Sequence, residues 1–171
     1  MKKSVITVII LITLSHILIA SQKLKAESYI PAQDTIVGYF DFDQLEALPY
    51  STWFDYEYNN YNVDTTSLNQ IDIDVLNKVK IIVVIGTWCS DSQRETPQFV
   101  KILKYLNYNT KDVIAIGVNR KKKAPNTEVD ELNIEYIPTI IFQLDGKEIG
   151  RIVELPVESL EKDILKIISS I

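Results

Sequence analysis

From Lys80 to Trp88 the chain reads KIIVVIGTW, an unbroken apolar stretch rich in β-branched residues that stops at the only cysteine of the sequence, Cys89. A half-buried strand alternates apolar with polar residues; an uninterrupted run is the mark of a strand buried on both faces, and so of a covered sheet of the α/β kind. The residues beyond Cys89 agree with that reading. Ser90 to Tyr108 carries Phe99, Ile102, Leu103 and Leu106 at helical spacing, with Pro97 expected to kink the helix. Val113 to Val118 (VIAIGV) is a second buried strand, and residues 126 to 133 suit a short helix. TIIFQL and KEIGRIVE flank the turn dipeptide Asp145-Gly146 and predict a hairpin. The close, Val157 to Ile171, is an amphipathic helix with Leu160, Ile164, Leu165, Ile167 and Ile168 inward. Strand, helix, strand, helix, hairpin, helix predicts a central mixed sheet covered on both faces.

The amino end has a different character. Lys2 and Lys3 precede an apolar run from Val5 to Ala20 and then the polar stretch SQKLKAES, the layout of a secretory signal over residues 1 to 26. Cleavage is expected after Ala20 or Ala26, since the run is shorter than the roughly 20 residues a spanning helix needs. Export to the periplasm or the extracellular space is the consequence, with membrane attachment only if the leader stays uncleaved. Residues 27 to 79 form an amino-terminal extension with a strand-like stretch at Thr35 to Phe40 and a short helix at Asp43 to Leu48, ended by Pro49. Trp53 with Tyr50, Phe54, Tyr56, Tyr58 and Tyr61 makes the next piece too aromatic for a solvated linker, so these rings are expected to fix the extension to the domain at 80 to 171.

Without Lys2, Lys3, Lys23 and Lys25 the chain has 14 basic against 23 acidic residues, a net −9, which disfavours nucleic acid as a partner. The only histidine, His16, belongs to the leader. Histidine triads, Cys-His pairs and histidine-ligated metals are therefore excluded from the remainder, and one cysteine builds neither a structural zinc site nor an internal disulfide. No metal and no cofactor is expected. Asp41 with Asp43, and Asp72 with Asp74, lack the other ligands of a calcium loop and read as surface acids.

The turn GTWCSDS, Pro97 eight residues after the cysteine, and YIPTIIF followed by DGKEIGRIV together resemble the thioredoxin family over residues 80 to 171. With the upstream PYSTWF they are similar, more narrowly, to exported bacterial thioredoxin-like proteins. The resemblance implies a thioredoxin-like fold with Cys89 as the attacking thiol, Ser92 in place of the resolving thiol, Trp88 as the flanking ring and Pro138 as a cis-proline. Ile137 would then offer its N–H and C=O to an extended substrate, with Thr139 and Arg94 completing the contact surface. It also implies a departure: the buried acid expected six residues before the cysteine is Val83, so proton transfer is left to water or a more distant acid.

The residues argue in the same direction. A cysteine at a helix amino terminus faces unpaired backbone N–H groups and the positive end of the helix dipole, which favour a thiolate. Ser92 lies three residues on, on the same helix face, where its hydroxyl is expected to donate to that thiolate but cannot form a disulfide. Asp91 opposes the negative sulfur, and Arg94 offsets Asp91 if it folds back. Arg120 to Lys123 (RKKK) comes after the second strand, at the sheet edge that carries Cys89, and reads first as a solvated loop.

The expected function is monothiol thiol–disulfide exchange with cysteine-containing exported proteins or low-molecular-weight thiols, and the alternative is a redox-inactive module that binds a peptide or protein. A peroxiredoxin is disfavoured because Gly86 and Ile82 stand where that family has threonine and proline. A cluster-binding monothiol glutaredoxin is disfavoured because the turn lacks a glycine-phenylalanine pair.

Overall fold

The run that opens the domain becomes the middle of a five-stranded mixed sheet. In the computed structural model, which describes residues 35–171, the strands are β1 (Gly38–Phe40), β2 (Lys80–Ile85), β3 (Ile114–Gly117), β4 (Thr139–Leu144) and β5 (Lys147–Val153). Their spatial order is β1-β3-β2-β4-β5. β2 pairs parallel with β3, Ile82 opposite Ile114, and antiparallel with β4, Ile82 opposite Ile141. With a neighbour on either side and cover above and below, residues 81 to 85 are each at most 1% exposed, which is why their sequence does not alternate. The expected leader and both cleavage points, Ala20 and Ala26, lie outside the described residues. Among the described residues no helix is long and apolar enough to cross a membrane.

The two faces are covered differently. Ile81, Val83 and Ile85 of β2, with Ile140 and Phe142 of β4, meet α1 (Ser51–Asn60), α4 (Ser90–Tyr105) and α5 (Leu160–Ile168) through Phe54, Phe99, Ile102, Leu103, Leu160 and Ile164. Ile82, Val84, Ile116 and Ile141 point the other way, and Val118, Ala124, Val129, Leu132 and Ile137 cover them. That covering segment holds one 3-10 turn, Glu128–Asp130, instead of the short helix expected over 126 to 133. Asn126 (φ 64°) and Asn133 (φ 52°) take left-handed conformations at its two ends, which leaves too few residues between them to nucleate an α-helix.

Residues 35 to 79 contribute to the same core. β1 adds an antiparallel edge, Tyr39 opposite Ile116, and is shorter than the stretch Thr35 to Phe40. The Asp43 to Leu48 helix is a 3-10 turn, Phe42–Glu46, and the aromatic piece is α1. Phe54 and Tyr58, four residues apart, stack with ring centroids 5.9 Å apart, and Tyr50 and Phe54 are buried. Lys101 of α4 donates to the carbonyls at the end of this helix, Tyr58 at 2.7 Å and Tyr61 at 2.8 Å. The Tyr61 hydroxyl donates to Glu161 of α5 at 2.7 Å, and burial with that carboxylate pushes the phenol far up. Two one-turn helices come next, α2 (Thr65–Leu68) and α3 (Ile73–Leu76), capped by the carboxylates of Asp64 and Asp72. Asp72 is thus a cap, and Asp41 and Asp43 both meet Lys111, at 3.5 and 2.5 Å.

Helix ends differ from the periodic pattern for local reasons. α4 runs through Pro97 and stops at Tyr105, where Asn107 turns left-handed (φ 54°) and the Tyr108 N–H closes back on the Leu103 carbonyl at 2.9 Å. α5 begins only at Leu160. The Ser159 hydroxyl accepts from the Lys162 N–H, and the Asp163 carboxylate reaches back to the N–H groups of Val157 and Glu158. Asp145 and Gly146 both have positive φ, 51° and 76°, as the two-residue turn joining β4 to β5 requires.

Candidate functional site

β2 delivers the chain to the edge of the sheet and α4 carries it away, so the four residues between them form a fixed corner. The Cys89 N–H donates to the Gly86 carbonyl at 2.8 Å, and the Gln93 N–H to the Cys89 carbonyl at 2.9 Å. Cys89 is therefore the N-cap of α4, with extended backbone (φ −95°, ψ 125°) and no side-chain capping bond, and the residue is partly exposed. Gln93 folds back to donate to the Thr87 carbonyl at 2.7 Å. A Cβ on Gly86 would sit 2.7 Å from Ile137 Cδ1 and 2.8 Å from Trp88 Cε2, so the absence of a side chain there is what lets those two close over the corner.

The second wall comes from the residues before β4. The Ile137-Pro138 peptide bond is cis, and the Cys89 thiol donates to the Ile137 carbonyl at Sγ···O 3.5 Å. This loop is clamped on both sides: the Thr139 hydroxyl donates to the Tyr136 carbonyl, and the Glu154 N–H to the Pro138 carbonyl, each at 2.7 Å. Trp88 is pinned by its indole N–H, which donates to the Val118 carbonyl at 2.9 Å, and the Arg120 guanidinium lies over its ring at 5.0 Å.

Of the residues singled out from the sequence, Trp88, Cys89, Ile137 and Pro138 meet at one place. Ser92 sits behind them, fully buried, and its hydroxyl oxygen accepts from the Gly86 N–H at 3.2 Å. That bond secures the corner and leaves the Ser92 O–H hydrogen to donate elsewhere. Ile137 is 4% exposed, and its carbonyl receives the thiol on one of its two lone pairs. The Thr139 hydroxyl is taken up by Tyr136. Arg94 does fold back on Asp91, at 2.9 Å, and its Nε also donates to Glu95 at 2.8 Å. Both acids raise the guanidinium's proton affinity, Glu95 more than Asp91.

Glu95 escaped the sequence reading. It is 6% exposed, and burial lifts its carboxyl above the usual carboxylate range, with Arg94 pulling in the opposite direction. Its signal was present in the spacing, since positions 92, 95, 96 and 99 share the inward face of α4. Among the described residues no group of His, Cys, Asp and Glu is arranged to hold a metal. What the corner brings together is one thiol on a partly exposed residue, a buried hydroxyl, an aromatic ring and a peptide carbonyl.

No protein-family model and no curated protein matches the chain. Solved structures do share its architecture. The crystal structure of an HIV epitope scaffold superposes with a TM-score of 0.55 at 14% identity, covering 77% of this chain and 93% of the scaffold. A protein of unknown function from Pseudomonas aeruginosa does so with a TM-score of 0.53 at 14% identity, covering 75% and 89%. At such identity the likeness speaks for the arrangement of helices and strands alone: the chain is an α/β protein built on a mixed five-stranded sheet.

Proposed function

We propose that the chain is a thioredoxin-like, monothiol thiol–disulfide exchange protein that works after export. The observation that carries this reading is the contrast between two positions three residues apart: Cys89 is partly exposed, 3.5 Å from the Ile137 carbonyl, and Ser92 is fully buried behind it. That is the placement an attacking and a resolving group need, with a hydroxyl where the resolver would be. The thiol loses its proton to solvent, and the thiolate attacks one sulfur of a substrate disulfide R–S–S–R′. A Cys89–S–S–R bond forms, the S–S bond of the substrate breaks, and R′–S⁻ leaves and takes up a proton. Ser92 cannot displace R. A second thiolate, from a low-molecular-weight thiol or from another cysteine of the substrate, attacks the R sulfur and returns Cys89 as thiolate. The substrates are then cysteine-containing exported proteins or small disulfides.

Two variants test the reading in the full chain. Incubated with 2-hydroxyethyl disulfide, the wild type should gain one mixed-disulfide adduct by intact-mass spectrometry, and Cys89→Ser none. Ser92→Cys should convert a stable adduct into an internal disulfide with loss of the added group, and should acquire dithiothreitol-dependent reduction of insulin. A wild type that forms no adduct while remaining folded refutes exchange chemistry and leaves the redox-inactive binding module as the better account. Export rests on Lys2, Lys3 and the apolar run after them, and recovery of the intact leader on a cytoplasmic protein would refute it.

A further inference from the structure

The four cations after β3 are not equivalent. Lys123 pairs with Asp130 at 2.5 Å, and Lys122 donates to the Glu135 carbonyl with its ammonium 5.3 Å from the Tyr136 ring centre. The Asn119 side chain shapes the loop by accepting from the N–H groups of Lys121 (2.9 Å) and Lys123 (3.1 Å), and Lys122 is left-handed at φ 56°. Arg120 is the one turned toward the thiol corner. Its guanidinium lies 5.0 Å from the centre of the Trp88 ring, Trp88 is held to the same loop by its bond to the Val118 carbonyl, and Cys89 is the next residue. Among the described residues no carboxylate forms an ion pair with Arg120 or Lys121, whereas Arg94, Lys111 and Lys123 all have acidic partners.

A cation–π contact does not use up the N–H donors of a guanidinium, and their fork matches a carboxylate in two-point fashion. In a chain with 23 acidic and 18 basic residues, two unpaired cations beside the single reactive sulfur set the local field against the trend of the whole molecule. The geometry points to Arg120, carried on Trp88 and assisted by Lys121, as the recognition group for a carboxylate close to the reacting disulfide, so that Cys89 exchanges preferentially with anionic disulfides. This rests on the proposed exchange chemistry and names the class of substrate for the same site. The balance of the step is unchanged: Cys89–S–S–R forms, R–S–S–R′ breaks, and the carboxylate of R stays ionised against Arg120 throughout.

Three small disulfides of different charge test it on the full chain: the dianion 3,3′-dithiodipropionate, the neutral 2-hydroxyethyl disulfide and the dication cystamine. Adduct formation at Cys89 is followed by intact-mass spectrometry, with each charged probe's rate divided by that of the neutral one. For a carboxylate about 4 Å from the guanidinium in water-like surroundings, Arg120→Gln should lower the dianion's relative rate about fivefold and Arg120→Glu about thirtyfold, with cystamine moving the other way. The preference should collapse in about 1 M salt, where the Debye length is near 3 Å. Relative rates that stay unchanged in Arg120→Glu, with the neutral probe still reacting, overturn the assignment of Arg120 and leave the thiol chemistry standing. No adduct with any of the three probes overturns the exchange reading and this inference together.

Discussion

Gly86→Ala probes the corner without touching a reactive atom. The added methyl carbon would lie 2.7 Å from Ile137 Cδ1, 2.8 Å from Trp88 Cε2 and 3.0 Å from Trp88 Nε1, where carbon atoms prefer about 3.5 to 4.0 Å. Neither neighbour can swing aside cheaply. Trp88 would give up its bond to Val118 and its contact with Arg120, and Ile137 is buried between that ring and the clamped Pro138. Overpacking of this kind costs about 1 to 3 kcal/mol, and the stiffer unfolded chain of the alanine variant returns about 0.4 to 1 kcal/mol. The net loss is about 1 to 2 kcal/mol, or roughly 5 °C in Tm for a chain of this size. Because the shift falls on the wall facing Sγ, adduct formation with 2-hydroxyethyl disulfide should slow by about tenfold. Gly150→Ala is the comparison: its methyl would meet Ile167 Cγ1 of α5 at 2.8 Å, on the helical side of the sheet. It should lose comparable stability in guanidinium unfolding and leave the Cys89 rate alone. If Gly86→Ala is as stable and as reactive as the wild type, or if Gly150→Ala slows the thiol equally, the packed corner is not what positions Cys89.

Ser92→Ala removes the acceptor of the Gly86 N–H inside the core, which should cost about 1 to 3 kcal/mol in equilibrium unfolding; a loss under about 0.5 kcal/mol would mean that this N–H finds another partner. Glu95 makes stability depend on pH in a defined direction. Its folded carboxyl holds a proton above the ordinary carboxylate range, so its contribution is complete below that range and is lost as pH rises through the folded value. Glu95→Gln should therefore flatten the fall of Tm as pH rises above the ordinary carboxylate range, relative to the wild type, and parallel curves would refute it.

How much of this was legible in the sequence depends on how local each cause is. The β2 run, the Asp145-Gly146 turn and the periodic apolar face of α5 each act within a few residues, and each stands where the pattern puts it. The thiol corner was legible for the same reason, because a strand end, a cysteine and a helix start are consecutive. The helical nature of α1 was not: its apolar residues hardly segregate to one face, and what holds it is ring stacking plus a lysine from α4 some forty residues away. Ser92 shows the limit most sharply. Helical spacing puts it on the inward face of α4, three residues from Cys89, yet that its oxygen accepts from Gly86 is decided by the direction of a single N–H in the preceding turn. For Cys89 the partner is remote in sequence, the Ile137 carbonyl 48 residues away, which accepts from the thiol. That bond exists only while the proton is on sulfur. The pairing itself depends on β4 lying beside β2, Val84 opposite Thr139, a contact that no local spacing rule contains.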